Sequence, residues 1–411
     1  MRKNLLKRCL FYFALTFILC TCNDPIFYAI SLEVEPIEPR IKGAPTNFAI
    51  YPANDPANAR MYVASGGTLY TYGKDPEHEK AFWRNGKAPG GKILQIASTN
   101  EYLYALCSTD QNVDGKIVVR RFDGSTQKWE VIGGDINNSG RAQNIFAAND
   151  TLFIMASTYS DNNFFYDIFY INGDETESTK LTITDADSNL SGAGKINGAA
   201  YNGVSYFLCT WNRGVYRIDD FSAGASILNY QYTKIEDEVE IEVTENITFS
   251  GIINLRDNNN TILLIARNGN VYTIKDGIIK KETVSLGRNA TGALAIWQKK
   301  DSPDRLLLAG RQDTLSYTVD SGYTYGYMEL EIDAGGIVVG KNFVEPGKSA
   351  LLSTVGSNER YHSTIGKNPV NYIFQAPEEI DTDMILFAST QKNGVWSYRT
   401  RGGDDQWNAE E

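Results

Sequence analysis

Seven times along the chain a short apolar run ends in a small residue, turns, and is answered by a second run. The first members are ARMYVAS (59–65), YLYALCS (102–108), TLFIMAS (151–157), VSYFLCT (204–210), TILLIAR (261–267), RLLLAGR (305–311) and MILFAST (384–390). Their partners are GGTLYTY (66–72), GKIVVRR (115–121), YDIFYI (166–171), RGVYRI (213–218), GNVYTI (269–274), DTLSYT (313–318) and NGVWSY (393–398). Runs this short, rich in β-branched and aromatic residues and bounded by Gly and Asn, predict antiparallel strands joined by tight turns. A further apolar run precedes each pair by about a dozen residues, as in NFAIYP (47–52), ILQIAS (93–98) and NYIFQA (371–376). An aromatic fourth piece often follows, as in KAFWRNG (80–86), KWEVIG (128–133), YMELEI (327–332) and QWNAEE (406–411).

Four short strands per unit in seven units predict an all-β chain, a seven-bladed β-propeller of four-stranded antiparallel blades over 44–411. No blade buries both faces alone, whereas a ring of blades does and leaves only short edges. Equivalent positions Ala64, Leu106, Ala156, Leu208, Ala266, Ala309 and Ala388 are separated by 42, 50, 52, 58, 43 and 79 residues. The last interval holds extra chain at 334–363, read as an insertion between blades six and seven; a degenerate eighth blade is the alternative. A pair of β-sandwiches is the competing architecture and leaves the even period unexplained.

The 24 Tyr and 36 Gly among 411 residues suit pleated, half-buried surfaces and tight turns. A net charge of −11 argues against an extended basic surface, hence against nucleic acid as partner. Two of the five cysteines, Cys107 and Cys209, close apolar strands at equivalent slots of non-neighbouring units and are expected to be buried and unbridged.

Residues 1–22 read as a targeting segment: Arg2, Lys3, Lys7 and Arg8 precede an apolar run too short to span a bilayer. The run ends Leu19-Cys20-Thr21-Cys22, which resembles the lipobox of bacterial lipoproteins. That resemblance implies lipidation of Cys22, a tether over 23–43, and a protein anchored through lipid in the bacterial cell envelope, at the outer membrane on its periplasmic or surface side. An ordinary secretory signal is the alternative, and either implies export.

Thr318-Val319-Asp320-Ser321-Gly322-Tyr323-Thr324-Tyr325 resembles the Asp-box of sialidase-type propellers, with an echo at Phe122-Asp123-Gly124-Ser125-Thr126. It covers eight residues and implies a hairpin capped by an Asp side chain, placed between the third and fourth strands of its blade. The arginines and Tyr/Glu pair of a sialidase have no assignable counterparts. Asp110, Asn112 and Asp114, followed by Gly115, match the opening of a calcium loop, while Val118 and Arg121 stand where its closing oxygens belong. Calcium is therefore the one cofactor considered; polar hairpin turns use the same residues without metal. His78 and His362 are the only histidines and have no nominated partners.

Longer connections fall on the face that carries the second-to-third turns and the links between blades. TYSDNNFFYD (158–167), TDADSNLSGAGK (184–195), the acidic IEDEVEIEVTEN (235–246) and the insertion all lie there. Elaborated loops on a rigid frame are where binding concentrates. Candidate ligand residues on that face are Phe164, Phe165, Trp211, Arg213, Arg267, Arg311 and His362. Paired guanidinium groups suit a carboxylate or sulfate of a glycan; acidic neighbours are the competing partners. The pattern favours a non-enzymatic binding module for a protein or glycan. A glycosidase or polysaccharide lyase, and a scaffold in envelope assembly, are the alternatives.

Overall fold

The computed structural model describes residues 40–410 outside positions 56, 76–77, 110–115, 135, 137–141, 161–162, 185–193, 212, 229, 237–238, 246, 256–259, 286–292, 299–303, 310–326, 333–337, 345–369 and 402–403. The chain is all-β. The first sheet holds Ala49–Tyr51 (β1), Arg60–Ser65 (β2), Thr68–Asp75 (β3) and His78–Asn85 (β4), and the next Lys92–Ser98 (β5), Leu103–Ser108 (β6), Ile117–Asp123 (β7) and Lys128–Ile132 (β8). Ala142–Ala148 (β9), Thr151–Ser160 (β10), Asn163–Asn172 (β11) and Thr179–Lys180 (β12) follow. A five-stranded sheet comes next: Ile183–Thr184 (β13), Ile196–Tyr201 (β14), Tyr206–Thr210 (β15), Val215–Ile218 (β16) and Ala225–Leu228 (β17), with β13 running parallel to β17 on its outer edge. Tyr230–Glu236 (β18) and Val239–Glu245 (β19) form a separate hairpin. The chain then returns to four-stranded sheets. These are Phe249–Asn254 (β20), Ile262–Ala266 (β21), Asn270–Lys275 (β22) and Ile278–Ser285 (β23); Leu294–Trp297 (β24), Arg305–Ala309 (β25), Tyr327–Ile332 (β26) and Val338–Val344 (β27); and Val370–Gln375 (β28), Leu386–Thr390 (β29), Val395–Arg401 (β30) and Asp404–Ala409 (β31).

These sheets are the blades of a β-propeller: six are four-stranded and antiparallel with strands in chain order. Apolar side chains of each sheet interlock with those of the next. Leu263, Ile265 and Val271 pack on Ile296, Leu306 and Leu308, and Tyr104, Leu106 and Val119 on Ile145, Leu152 and Ile154. The last sheet closes on the first the same way, with Phe387 and Val395 against Met61, Tyr72 and Trp83. Each such side chain taken from water contributes about 1.5–3 kcal/mol, so the ring is held by its inter-sheet layers. Among the described residues no sheet combines strands from both ends of the chain. Residues 40–46 instead stitch the closing seam: Val395 N–H donates to Ile41 O at 3.1 Å, Gly394 N–H to Gly43 O at 2.9 Å, and Thr46 N–H to Ala64 O at 2.7 Å. Ile41, near the end of the stretch read as a tether, is fully buried in this seam.

The Thr261–Ile274 hairpin shows how local sequence sets the blade. Asn268 Oδ1 accepts from Asn270 N–H at 3.0 Å, and Gly269, at φ +88°, donates to Ala266 O at 2.9 Å. A side chain at that φ would be strained, so the Asn-Gly pair fixes the register that buries Leu263, Ile265 and Val271 together.

Several expectations are corrected. The third strand after RLLLAGR is YMELEI, not DTLSYT: β25 pairs with β26 from Arg305↔Glu331 to Ala309↔Tyr327. The fourth is Val338–Val344, inside the stretch 334–363 read as an insertion. The Asp-box-like motif at 318–325 therefore falls between second and third strands, and its residues lie outside those described. Phe164 and Phe165, read in the connection 158–167, are not in a loop. They belong to β11, facing Tyr159 and Thr158 in register, because the alternation of β10 continues through the polar stretch after Ala156. His78 opens β4.

Candidate functional site

The innermost strand of each blade is a sheet edge, with backbone N–H and C=O groups facing the axis and no further strand to meet them. Amide side chains answer part of this need across blade boundaries. Asn47 Nδ2 donates to Ile96 O at 2.5 Å, and its Oδ1 accepts from Ile96 N–H at 3.1 Å. Gln95 does the same to Ile145, at 2.6 and 3.0 Å, and Gln375 to Gln298, at 2.8 and 2.9 Å. Asn197 Nδ2 donates to Phe249 O at 2.7 Å. Each clasp holds one blade to its neighbour at the axis.

Inside the clasps lies a channel of about 1060 Å3 lined by β1, β5, β9, β14, β20, β24 and β28. Half-buried Tyr372 and Phe374 lie on one wall, Phe374 stacking at 6.1 Å on Phe48, which is buried in the core, and Leu94, 39% exposed, also lines the channel. Gln143, Asn144 and Asn371 present amides from other positions. Among the described lining residues Lys195 carries the only charge.

At the Lys195 end the turn after β15 is built on a buried threonine. Thr210 Oγ1 donates to Gly214 O at 2.9 Å and accepts from Arg213 N–H at 2.9 Å; Gly214 sits at φ +69°. Thr390 and Gly394 repeat the device between β29 and β30. In the same turn the half-buried Trp211 donates its N–H to Lys195 O at 2.8 Å. Arg267, in the equivalent turn of the following blade, lays its guanidinium over the Trp211 ring, 4.7 Å from the centroid. Lys195 and Arg267 are exposed, and no described carboxylate forms a salt bridge with either. Arg121 shows the contrast: it lies over Tyr102 at 4.4 Å, but is also bound by Glu130 at 2.6 Å and by the carbonyls of Asp174 and Glu175.

The structure thus brings Trp211 and Arg267 together and places Arg213 in the same turn. Phe165 is half-exposed in β11. Cys22, Asp110, Asn112, Asp114, Arg311 and His362 lie outside the described residues. No group of three or more His, Cys, Asp or Glu that could hold a metal occurs among the described residues, and no described helix is long and apolar enough to cross a membrane. The axial amides and Lys195 were missed as site residues. Their signal was an Asn or Gln in nearly every first run, from Asn47 and Gln95 to Asn197 and Gln375.

Three other features are structural. Asp123 accepts from Ser125 N–H (2.8 Å), Ser125 Oγ (2.7 Å) and Thr126 Oγ1 (2.6 Å), and these bonds pull its carboxyl well below the usual range. At the closing seam Tyr72 donates to Asp381, and Glu410 is bound by Ser397 and by Arg399 at 2.9 Å. Burial pushes the Glu410 carboxyl up, against the pull of Arg399 and Ser397. Tyr72, Asp381, Ser397 and Glu410 are all buried away from the channel lining. On the opposite face Tyr170, Phe221, Tyr206 and Tyr201 form a ladder with centroids 4.3, 5.3 and 4.5 Å apart, the rings packing on one another.

No protein-family model and no curated protein matches the chain. Among solved structures it is similar in shape to Saccharomyces cerevisiae Sqt1, at 12% identity and TM-score 0.46 over 90% of this chain and 86% of that one. The computationally designed Ika8 protein is similar at 10% identity and TM-score 0.46, over 88% and 98%.

Proposed function

We propose that the chain is an exported lipoprotein of the bacterial cell envelope, anchored through Cys22, whose propeller is a binding module for a protein or glycan. The ring has seven blades in this reading, β14 to β17 of the five-stranded sheet forming the fourth and the outer β13 an addition to it. The Asp123 hairpin is an Asp-box-type device of the frame, without catalytic duty. The observation that carries the binding role is the Arg267 guanidinium on Trp211 beside Lys195 at the channel mouth. A cation stacked on an indole keeps its N–H edges free for an acceptor and is held in place before any ligand arrives. Glycoside hydrolysis would call for two carboxylates flanking the sugar. The described lining offers aromatic, amide and ammonium groups, which is the chemistry of holding.

The test compares capture from envelope extract and on a glycan array by the wild-type chain and a Trp211→Ala/Arg267→Ala variant. Retention by the wild type and at least tenfold less by the variant is expected; equal retention overturns the assignment of this face. Palmitate incorporation should vanish in Cys22→Ala, and labelling that persists would refute the anchor.

A further inference from the structure

Resting on that reading of the channel mouth, we infer that the channel takes the end of an acidic saccharide chain, its carboxylate or sulfate at Lys195 and its rings along the axis. Three independent features of the lining converge on this class. The first is charge. Within a chain of net charge −11, the described channel lining carries one ionic side chain, and it is a cation. An anion entering there meets Lys195 and finds no described carboxylate to oppose it. Arg267 stands next to it at the rim through Trp211, so a second anionic group along the same chain has a partner.

The second is the amides. Asn47, Gln95, Asn197 and Gln375 are engaged in the cross-blade clasps. Gln143, Asn144 and Asn371 line the same channel, and no described residue hydrogen-bonds to their side chains. An amide offers donor and acceptor together, the complement of a sugar hydroxyl pair. The third is the aromatic wall. Tyr372 and Phe374 are half-buried in the lining and Leu94 is 39% exposed there, an apolar surface for the C–H faces of pyranose rings. A purely apolar ligand leaves the amides dry and unpaired, and a neutral one leaves Lys195 unused. The volume of about 1060 Å3 accommodates a short oligosaccharide; pockets of roughly 300–1,000 Å3 are typical of small ligands.

Isothermal titration of the full chain tests this with four probes: tri-galacturonate, a sulfated trisaccharide of the same linkage, the neutral trisaccharide, and decanoate as an anionic amphiphile. One or both acidic sugars should bind at least tenfold more tightly than the neutral one, with an affinity that falls as salt is raised; which of the two binds identifies the anion. Lys195→Gln, an exposed change whose folding is checked by its unchanged melting, should bring the acidic sugar down to the neutral level. Asn144→Ala should weaken acidic and neutral sugars alike. Tight decanoate binding with weak sugar binding overturns the saccharide assignment, as does an affinity indifferent to Lys195→Gln or an absence of binding by both acidic sugars. If extract capture still depends on Trp211 and Arg267 in any of those cases, the mouth remains the binding face and only the ligand class falls.

Discussion

Replacing Gln95 by Leu isolates what the axial amides contribute. Gln95 makes two bonds to Ile145, from Nε2 to the carbonyl at 2.6 Å and from the Ile145 N–H to Oε1 at 3.0 Å. Ile145 is fully buried, and β9 has no neighbour strand on that side. Each bond contributes about 1 kcal/mol net, and a backbone group left without a partner costs about 1–3 kcal/mol, reduced where channel water reaches it. Leucine regains little at a half-exposed position, so the loss should be about 2–3 kcal/mol. Unfolding entropy near 2.1 cal/mol/K per residue gives roughly 0.8 kcal/mol/K for a body the size of Pro39–Glu411, hence a fall of about 3 °C in melting temperature. Calorimetry reads the fall, and hydrogen exchange reads the Ile145 amide, which should lose protection while Ile154 on the neighbouring strand keeps its own. Gln95→Glu is the control. At neutral pH its carboxylate still accepts from the Ile145 N–H but confronts the carbonyl with a second acceptor, so it should be at least as destabilised as the leucine variant. In acid its O–H donates to that carbonyl and stability should recover toward the wild type. A leucine variant within 1 °C of wild type, with Ile145 protection intact, would refute the clasp and leave the blades joined at the axis by packing alone.

The seam between first and last blades yields two further predictions. Tyr72→Phe removes the hydroxyl that Asp381 accepts and leaves a buried carboxylate oxygen short of a partner; a loss of about 1–3 kcal/mol in urea unfolding is expected, and an unchanged midpoint would deny the bond any weight. Glu410 has its carboxyl raised from 4.5, chiefly by burial, so the folded chain holds that proton more tightly than the unfolded one. The resulting stability is present below about 4.5 and declines as pH rises from there through the folded value. Glu410→Gln cannot ionise, so its stability relative to wild type should climb across that window and then level; a flat or falling difference between pH 4 and 8 would contradict this. Cys107 and Cys209 are buried free thiols pushed up to about 12 by loss of hydration. Peptide mapping after iodoacetamide should find both unmodified in the folded protein at pH 8 and modified in urea, and labelling of either in the fold would show that its blade opens.

What could be read from the chain follows the range of the interactions involved. Strand and turn identity are local, so the runs around Leu263 and Val271, or Tyr104 and Val119, were placed to within a residue or two by alternation and Gly/Asn turns. Choosing between DTLSYT and YMELEI as the partner of β25 was not local: both alternate, and the pairing of Arg305–Ala309 with Tyr327–Glu331 is made across the intervening chain. The extension of β10 and β11 escaped notice because polar residues at a hairpin end serve a strand as well as a loop. At the site, Trp211 and Arg267 were both nominated, each from its own turn. Their contact arises from how two blades pack, which no single turn encodes. Asn47 and Gln95 were visible yet carried no meaning until the exposed edges they serve were known.

Closure by residues 40–46 also sets how the molecule answers a mechanical load. Tension applied to the chain on the N-terminal side of Arg40 is delivered first to a few bonds: Arg40 to Glu410 O, Ile41 to Val395, Gly43 to Gly394, and Pro45 to Ser389. These join the two ends of the ring directly, so no blade ladder bears the pull until they part. A propeller held by its leading end is then a clasp whose first point of yield is its own seam, and the force at which Ile41 leaves its pocket sets how hard the ring can be tugged and stay shut.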